Sequence, residues 1–488
     1  MNTSAQDSKT IPIKPKILHR FYEPLILLKA LNVEMKDSAD FVDHDNAGCQ
    51  REPEQTFQAF VYKLAHVCDS VKGDRGGTIT SVMVLEPRFP ENEIVEYRFA
   101  SNNRTTNELE KTSEFMSSLL GHLRTATFPN DEPAMWRRLL CLILGFNRSR
   151  IASYLTAIRK EVQSCLTKCS ITDDDEDKKI AATLRRILAL LEFNWNEYAP
   201  DTECRCISRR AREIRENGLQ SSLSCWPEMW HMMNRLASYA QDVEFFILAK
   251  REWPELFENF RVRFLSSSVP IRGPVRPKSM KAEGIVGRMT DKPKEIEIFR
   301  GFVQDLQLTD LDARIRAEYT KDTFCPIVHS EILLLDNLER SGPITPDRFF
   351  NGWMFIGSSK PLCRLCQYYF QEHHSGVGHR KSHQNLYPSW RVPDVLLSQG
   401  AEGEEKRQIM INRMMVRIRR DAFDLIRKRV HPMYRNHDSF TSSMKITLGE
   451  RWTTGSSASD VASRMGGLTL EDPEDDEQGG ATLAKTDI

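Results

Sequence analysis

Hydrophobic positions change their spacing several times along this chain. In FQAFVYKLAHVCDSV (57–71), Phe57, Phe60, Val61, Leu64, Val67 and Cys68 recur at the spacing of one helix face. GGTITSVMVLEP (76–87) is β-branched behind a glycine turn. IVEYRFASNN (94–103) alternates, with Val95, Tyr97 and Phe99 on one side, and the two runs predict a strand pair. From about 105 to 263 the spacing is helical almost throughout, most clearly in MWRRLLCLILGF, IAATLRRILALLEF and MWHMMNRLASYAQDVEFFILAK. The acidic run DDDEDKK (173–179) suits the first turn of one such helix, where the dipole favours carboxylates. SSSVPIRGPVRPKSMKAEG (266–284) has three prolines and few apolar residues, and predicts a linker or exposed loop. IEIFRGFVQDLQLTDLDARIRAEY is helical again.

The pattern then becomes helix–strand–helix. CPIVHSEILLLDNLERSG predicts a helix bearing Ile332, Leu333, Leu334, Leu335 and Leu338, closed by Ser341 and Gly342. FFNGWMFIGSS reads as a buried strand. Lys360 and Pro361 start a second helix, LCRLCQYYFQEHH, ended by Ser375 and Gly376. Candidate ligands sit where both helices begin: His329 and Glu331 on the first, Cys363 and Cys366 on the second.

Composition narrows the chemistry. The 488 residues allow two or three domains, and the formal net charge is zero, so attraction to nucleic acid or anionic lipid must be local. No apolar run reaches the roughly 18 residues of a membrane span, and the first residues lack the apolar core of a secretory signal. Eleven cysteines scattered over this length do not form a disulfide framework. The expected setting is cytoplasmic or nuclear, without a membrane.

A C-x-x-C pair is a redox couple, half of a zinc finger, or two ligands of a catalytic zinc. Residues i and i+3 share a helix face, so Cys363 and Cys366 can grip one ion, and a helix N-terminus favours their thiolates. His329 and Glu331, two apart, reach one ion only if it lies beyond the first turn, near the axis. Two such helix ends aimed at each other give His, Cys, Cys and one open position. That is a catalytic zinc set rather than a structural one, and it leaves Glu331 to move protons.

H-x-E followed by P-(x)-C-x-x-C is a signature of zinc-dependent deaminases. HSEILLLDNLE, FIGSSKPLCRLC and HQNLYPSWRVP resemble the OTT-type branch of the cytidine deaminase-like superfamily, mainly over 320–395. Leu362 separates Pro361 from Cys363 here, where the usual pattern is P-C-x-x-C. The resemblance implies zinc held by His329, Cys363 and Cys366, with Glu331 shuttling protons while an exocyclic amine is removed hydrolytically from a nucleobase, cytosine-type by analogy. It implies an α/β fold, a three-layer α/β/α deaminase-like domain, combined here with a large all-α region. In that superfamily a helix and a two-strand hairpin precede the H-x-E helix. The only such run is 57–103, so the helical region is expected to be inserted between the second strand and the zinc helix. The expected division is a disordered tail over 1–20, the first part of the deaminase fold over 21–104, and the insertion over 105–320. The zinc-binding core spans 321–435, and a second disordered tail 436–488. Asn102 and Asn103, with Ser358, Ser359 and Lys360, become candidate substrate contacts. A nucleotide or nucleic acid is the expected substrate, and the helical region offers a surface for a protein partner.

Rival readings stay open at this point. Cys363-x2-Cys366-x12-His379-x3-His383 has C2H2 finger spacing, with Phe370 at the aromatic position. Against it, Gly376 replaces the core leucine and SGVG interrupts the helix that must carry both histidines. A non-catalytic zinc or helical interaction protein is the remaining alternative. Cys165, Cys169, Cys204 and Cys206 with His231 read as ordinary core or surface residues, His373 and His374 as helix-end residues, and His66 as structural. Residues 406–429 carry nine basic side chains against two acidic ones, beside an apolar stripe from Ile411 to Ile426. Arg413, Arg417 and Arg420 are its candidates for contact with a nucleic-acid backbone.

Overall fold

The structure is a computed structural model that describes residues 10–32, 34–39, 52–73, 76–86, 94–126, 132–169, 175–192, 225–273, 280–321, 324–428 and 433–436. Helix α1, Pro15–Leu31, opens with proline, whose fixed φ suits the first turn. It buries Phe21, Tyr22, Leu25 and Leu28. Helix α2, Pro53–Cys68, and strands β1, Thr80–Leu85, and β2, Val95–Ser101, follow. Next come α3, Thr106–Thr125, α4, Glu132–Phe146, α5, Arg148–Cys169, α6, Asp175–Glu192, and α7, Cys225–Glu252. After strand β3, Phe260–Phe264, the chain forms α8, Pro293–Leu306, α9, Leu311–Thr320, and α10, Ser330–Arg340. Strand β4, Phe355–Ser358, helix α11, Arg364–His373, the short β5, Gly378–His379, and the long α12, Gly400–Lys428, complete it. No described helix is long and apolar enough to cross a membrane.

Five strands form one mixed sheet in the order β3-β2-β1-β4-β5. β1 runs antiparallel to both β2 and β4, while β3 lies parallel to β2 and β5 parallel to β4. The pleat divides the central strands between two cores. Val82, Val84, Tyr97, Phe99 and Phe355 join α2, α3, α4 and α7. Met83, Leu85, Ala100 and Ile356 join α1, α10, α11 and α12 on the other side. Helices cover both faces, so β1 and β2 are buried along their whole length. The hairpin near residue 90 and the strand near residue 356 therefore lie in one α/β/α arrangement.

Several expectations change. Residues 10–20 are not a tail: Thr10 and Ile11 pair with Leu396 and Val395, and α1 begins at Pro15 because its apolar stripe continues to Leu31. FRVRF alternates within the stretch read as helical and forms edge strand β3. Helices α3, α4 and α7 share the core of α2 and the sheet instead of closing one of their own; only α5, α6 and α7 add a small separate cluster. The proline-rich stretch is partly packed. Ser267 Oγ donates to Ser101 O (2.9 Å), and the buried Ser268 accepts from Val328 N (2.8 Å). Residues 1–9 and 437–488, and with them most of the second expected tail, lie outside the described residues, as do Cys204 and Cys206.

One close approach fixes α2 against the sheet. A Cβ on Gly357 would lie 2.7 Å from Tyr62 N and 2.8 Å from Tyr62 Cα, backbone that cannot swing aside. Gly357→Ala is therefore expected to cost about 1–3 kcal/mol by overpacking, read by denaturant unfolding. A loss below roughly 0.5 kcal/mol, the range of ordinary surface substitutions, would show that α2 does not press on β4.

Candidate functional site

The second zinc-signature helix begins later than its sequence predicts, at Arg364 rather than Pro361, because Cys363 adopts the N-cap conformation. Its sulfur accepts the backbone N–H of Cys366 at 3.4 Å, and this bond starts the helix. His329 occupies the same N-cap position on α10, so Ser330 and Glu331 are its first two helical residues. The two N-termini meet. His329 Nδ1 lies 3.6 Å from Cys363 Sγ and 3.4 Å from Cys366 Sγ. Among the described residues these three form the group able to hold a metal, their ligand atoms all within 4.8 Å of one another.

The dimensions test the fit to zinc. With Zn–S near 2.3 Å and Zn–N near 2.05 Å, a tetrahedral ion separates its sulfur and nitrogen ligands by about 3.6 Å. The observed separations, 3.4 and 3.6 Å, match that edge. Electrostatics agree. Burial pushes the Cys363 thiol up, yet hydrogen bonds from Cys366 and the His329 imidazole outweigh it and hold Cys363 well below the usual thiol range. Burial and the Cys363 charge push Cys366 well above that range. Burial works against protonation of His329, but Cys363 prevails and raises it. A divalent cation held here would relieve this conflict by taking both sulfurs as thiolates.

Glu331 is buried, outside the ligand group, and burial raises its carboxyl above the ordinary range despite His329 nearby. A chain of hydroxyls reaches it: Ser81 and Ser330 lie 2.7 Å apart, and Ser330 Oγ donates to Glu331 Oε2 at 3.3 Å. Asn102 holds the same turn from β2. Its Oδ1 accepts from Ser330 N (2.8 Å), while its Nδ2 donates to Gly76 O (3.1 Å). Both ends of this amide are thus engaged in structure.

The other candidates separate. Asn103 is exposed, and its backbone N–H bonds Gly77 O. Ser358 is buried opposite Ser81 in the β1–β4 register, hence on the face toward α10, and its hydroxyl has no partner among the described residues. Ser359 and Lys360 turn toward Asp69. Ser359 Oγ lies 3.5 Å from Asp69 Oδ2. Burial pushes the Asp69 carboxyl up, but Arg150, Lys360 and the Thr78 hydroxyl together hold it below its ordinary range. Arg413 and Arg417 bind Glu372 at the end of α11, while Arg420 is mostly exposed beside Asp421.

His379 and His383 stand outside the metal group; His379 Nδ1 contacts Arg380 O and His383 Nδ1 accepts from Asn385 N. Cys165 and Cys169 are buried in the small α5–α6–α7 cluster. His66 pairs with Asp242 at 2.6 Å, and His373 with Glu339 at 3.1 Å. Sequence reasoning passed over Trp390, whose Nε1 donates to Cys366 Sγ at 3.3 Å and whose carbonyl accepts from Tyr22. The signal was available: a buried indole N–H needs an acceptor.

A His–Cys–Cys group at two helix N-termini, beside a buried carboxylate, is chemically able to support metal-assisted hydrolysis. Residues 328–394, which contain it, match the family model described as "OTT_1508_deam:-like deaminase". That segment, 67 of the 488 residues, is similar to the OTT-type deaminase family of the cytidine deaminase-like superfamily, as its motifs indicate. No curated protein and no solved structure matches the chain.

The geometry generates a metal test. The purified chain should hold about one zinc, and His329→Ala should lower that content, whereas His379→Ala with His383→Ala should leave it unchanged. Elemental analysis showing the reverse would return the site to the finger reading.

Proposed function

We propose that this chain is a zinc-dependent hydrolytic deaminase acting on a nucleobase, cytosine-type, within a nucleotide or nucleic acid. The observation that carries the reading is the approach of His329 Nδ1 to both sulfurs at separations close to a tetrahedral nitrogen–sulfur edge, with Glu331 buried beside them. His329, Cys363 and Cys366 would hold the zinc, which when bound supplies Lewis acidity and a water acidic enough to react near neutral pH. Glu331 takes one proton from the attacking water and passes it to the ring nitrogen as the water oxygen bonds to the amidine carbon. It then takes the second proton from that oxygen and gives it to the exocyclic amine, which leaves as ammonia as the C–N bond breaks. Its raised pKa suits that exchange, and Ser330 fixes Oε2. Ser358, facing the same side of the sheet, is the candidate to hold the base. Asn102 acts through α10 rather than on the substrate.

The reading extends to architecture. Helix α2 and the β1–β2 hairpin serve as the first part of the deaminase fold, with 105–320 inserted before α10. Pairing of β1 with β4 and the Asn102–Ser330 bond support this. Of the three arginines proposed for a nucleic-acid backbone, Arg420 has the freest side chain. The helical region remains a proposed protein-binding surface.

Glu331→Gln should keep zinc and thermal stability but lower deamination by about 10²–10⁴-fold, because an amide cannot shuttle a proton. Ammonia release is to be measured over cytosine and adenine nucleosides, nucleotides and oligonucleotides. Undiminished activity in that variant removes the mechanism. A zinc-loaded wild type inactive on the whole panel favours the non-catalytic module.

A further inference from the structure

Helices α1 and α12 pack side by side, and between them runs a groove of about 500 Å³. Lys16, Ile17 and Arg20 line it from α1, and Gln408, Asn412, Met415, Val416 and Arg419 from α12. Three cations, two amides and an apolar floor share this space, with no carboxylate. The nearby acids are engaged elsewhere: Glu404 with Lys14 at 3.3 Å, and Glu23 with Arg288 at 2.8 Å. Arg419 is half-buried, and its Nε finds no hydrogen-bond partner among the described residues. Burial and the adjacent Arg20 both weigh against its charge. Like charges gathered on a partly apolar surface repel one another unless an anion joins them. The basic face of α12 therefore divides: Arg413 and Arg417 bind Glu372, while Arg419 turns to α1.

The same chain carries the complementary charge. In EDPEDDE (471–477) every residue but Pro473 is acidic, and the chain as a whole is neutral. Forty-two residues separate Lys428, the last of α12, from Glu471. Extended, they span up to roughly 140 Å, whereas the groove lies within about 30 Å of Lys428 along the helix. Attachment to the same chain raises the local concentration of the acidic segment at the groove without any further contact. We propose that the groove between α1 and α12 is the docking site of the acidic segment 471–477. Lys16, Arg20 and Arg419 receive its carboxylates, and Ile17, Met415 and Val416 pack against the chain between them. The contact is electrostatic first, so it weakens with salt. An external polyanion reaches the groove only by displacing this segment.

Carbodiimide treatment of the full chain, followed by peptide mass spectrometry, tests the contact. It should join the Lys16 amine to carboxylates within 471–477, with the Lys14–Glu404 pair as control for the reaction. Arg20→Glu, a change at an exposed position, should lower the Lys16 product roughly tenfold and leave the control intact. A second variant leaves the groove unaltered: Glu471→Gln, Asp472→Asn, Glu474→Gln, Asp475→Asn, Asp476→Asn and Glu477→Gln together. A labelled EDPEDDE peptide should bind this chain roughly tenfold more tightly than the unaltered one, whose groove is already filled. Three outcomes would each overturn the proposal. One is a control that reacts without any Lys16 product. Another is equal peptide binding by the two chains, and the third is a groove that takes an oligouridylate but not the peptide. Neither measurement depends on deaminase activity.

Discussion

Two helix N-termini pointing at one place are the constraint on which this site rests. Each presents unpaired backbone N–H groups and the positive end of a dipole, so each favours negative charge at its tip. A buried thiolate is costly unless it is paired and hydrogen-bonded. Cys363 meets both conditions, taking the Cys366 N–H and lying beside the His329 ring. The C-x-x-C spacing thereby acquires a physical meaning. It is the distance from an N-cap to the third residue of the helix, so the bond that starts α11 also brings the second sulfur to the His329 ring. H-x-E works differently, with the N-cap residue meeting the two sulfurs and the second helical residue, Glu331, standing aside, its carboxyl raised above the ordinary range by burial.

Much of what holds α10 in place is long-range. The N–H of Ser330 is one of the orphan donors of α10, and its acceptor, Asn102, sits 228 residues earlier in the chain. The Ser81 hydroxyl, 249 residues earlier, meets Ser330 Oγ, which in turn holds Glu331. The β1–β2 hairpin thus acts as a remote cap for the helix that carries Glu331. An orphaned buried donor costs about 1–3 kcal/mol, enough to matter when native proteins are in general stable by only about 5–15 kcal/mol.

This division explains what the sequence disclosed. His329, Glu331, Cys363 and Cys366 were legible because each marks a helix start, and a helix start announces itself locally through a cap, an apolar run and a closing glycine. The helix and hairpin over 57–101 were legible from period alone. Strand β3 was not, since FRVRF is only five residues at the end of a long helical stretch and becomes a strand by pairing with β2. The role of Ser268 was hidden too, for its partner, Val328, lies 60 residues away in sequence. The start of α11 was misplaced because Pro361 looks like a first helical residue, whereas the thiolate, not the proline, provides the cap.

The long helical stretch must therefore be weighed as part of the site. Tyr97 and Phe99 on β2 pack against its helices, and Tyr97 donates to Leu256 O at 3.0 Å. Behind β3, Leu265 N bonds Phe99 O, Ser267 accepts from Arg104 N, and Ser268 accepts from Val328 N, one residue before His329. Arg391, next to Trp390, reaches back to Val269 O at 2.9 Å. A fragment beginning at residue 321 would keep His329, Cys363, Cys366 and the Trp390 N–H, yet lose Asn102, Ser81 and Ser268. It would also strip β4 of its pairing with β1. The three side chains of the cluster are close in sequence, but the bonds that hold the start of α10 beside them come from Ser81, Asn102 and Ser268.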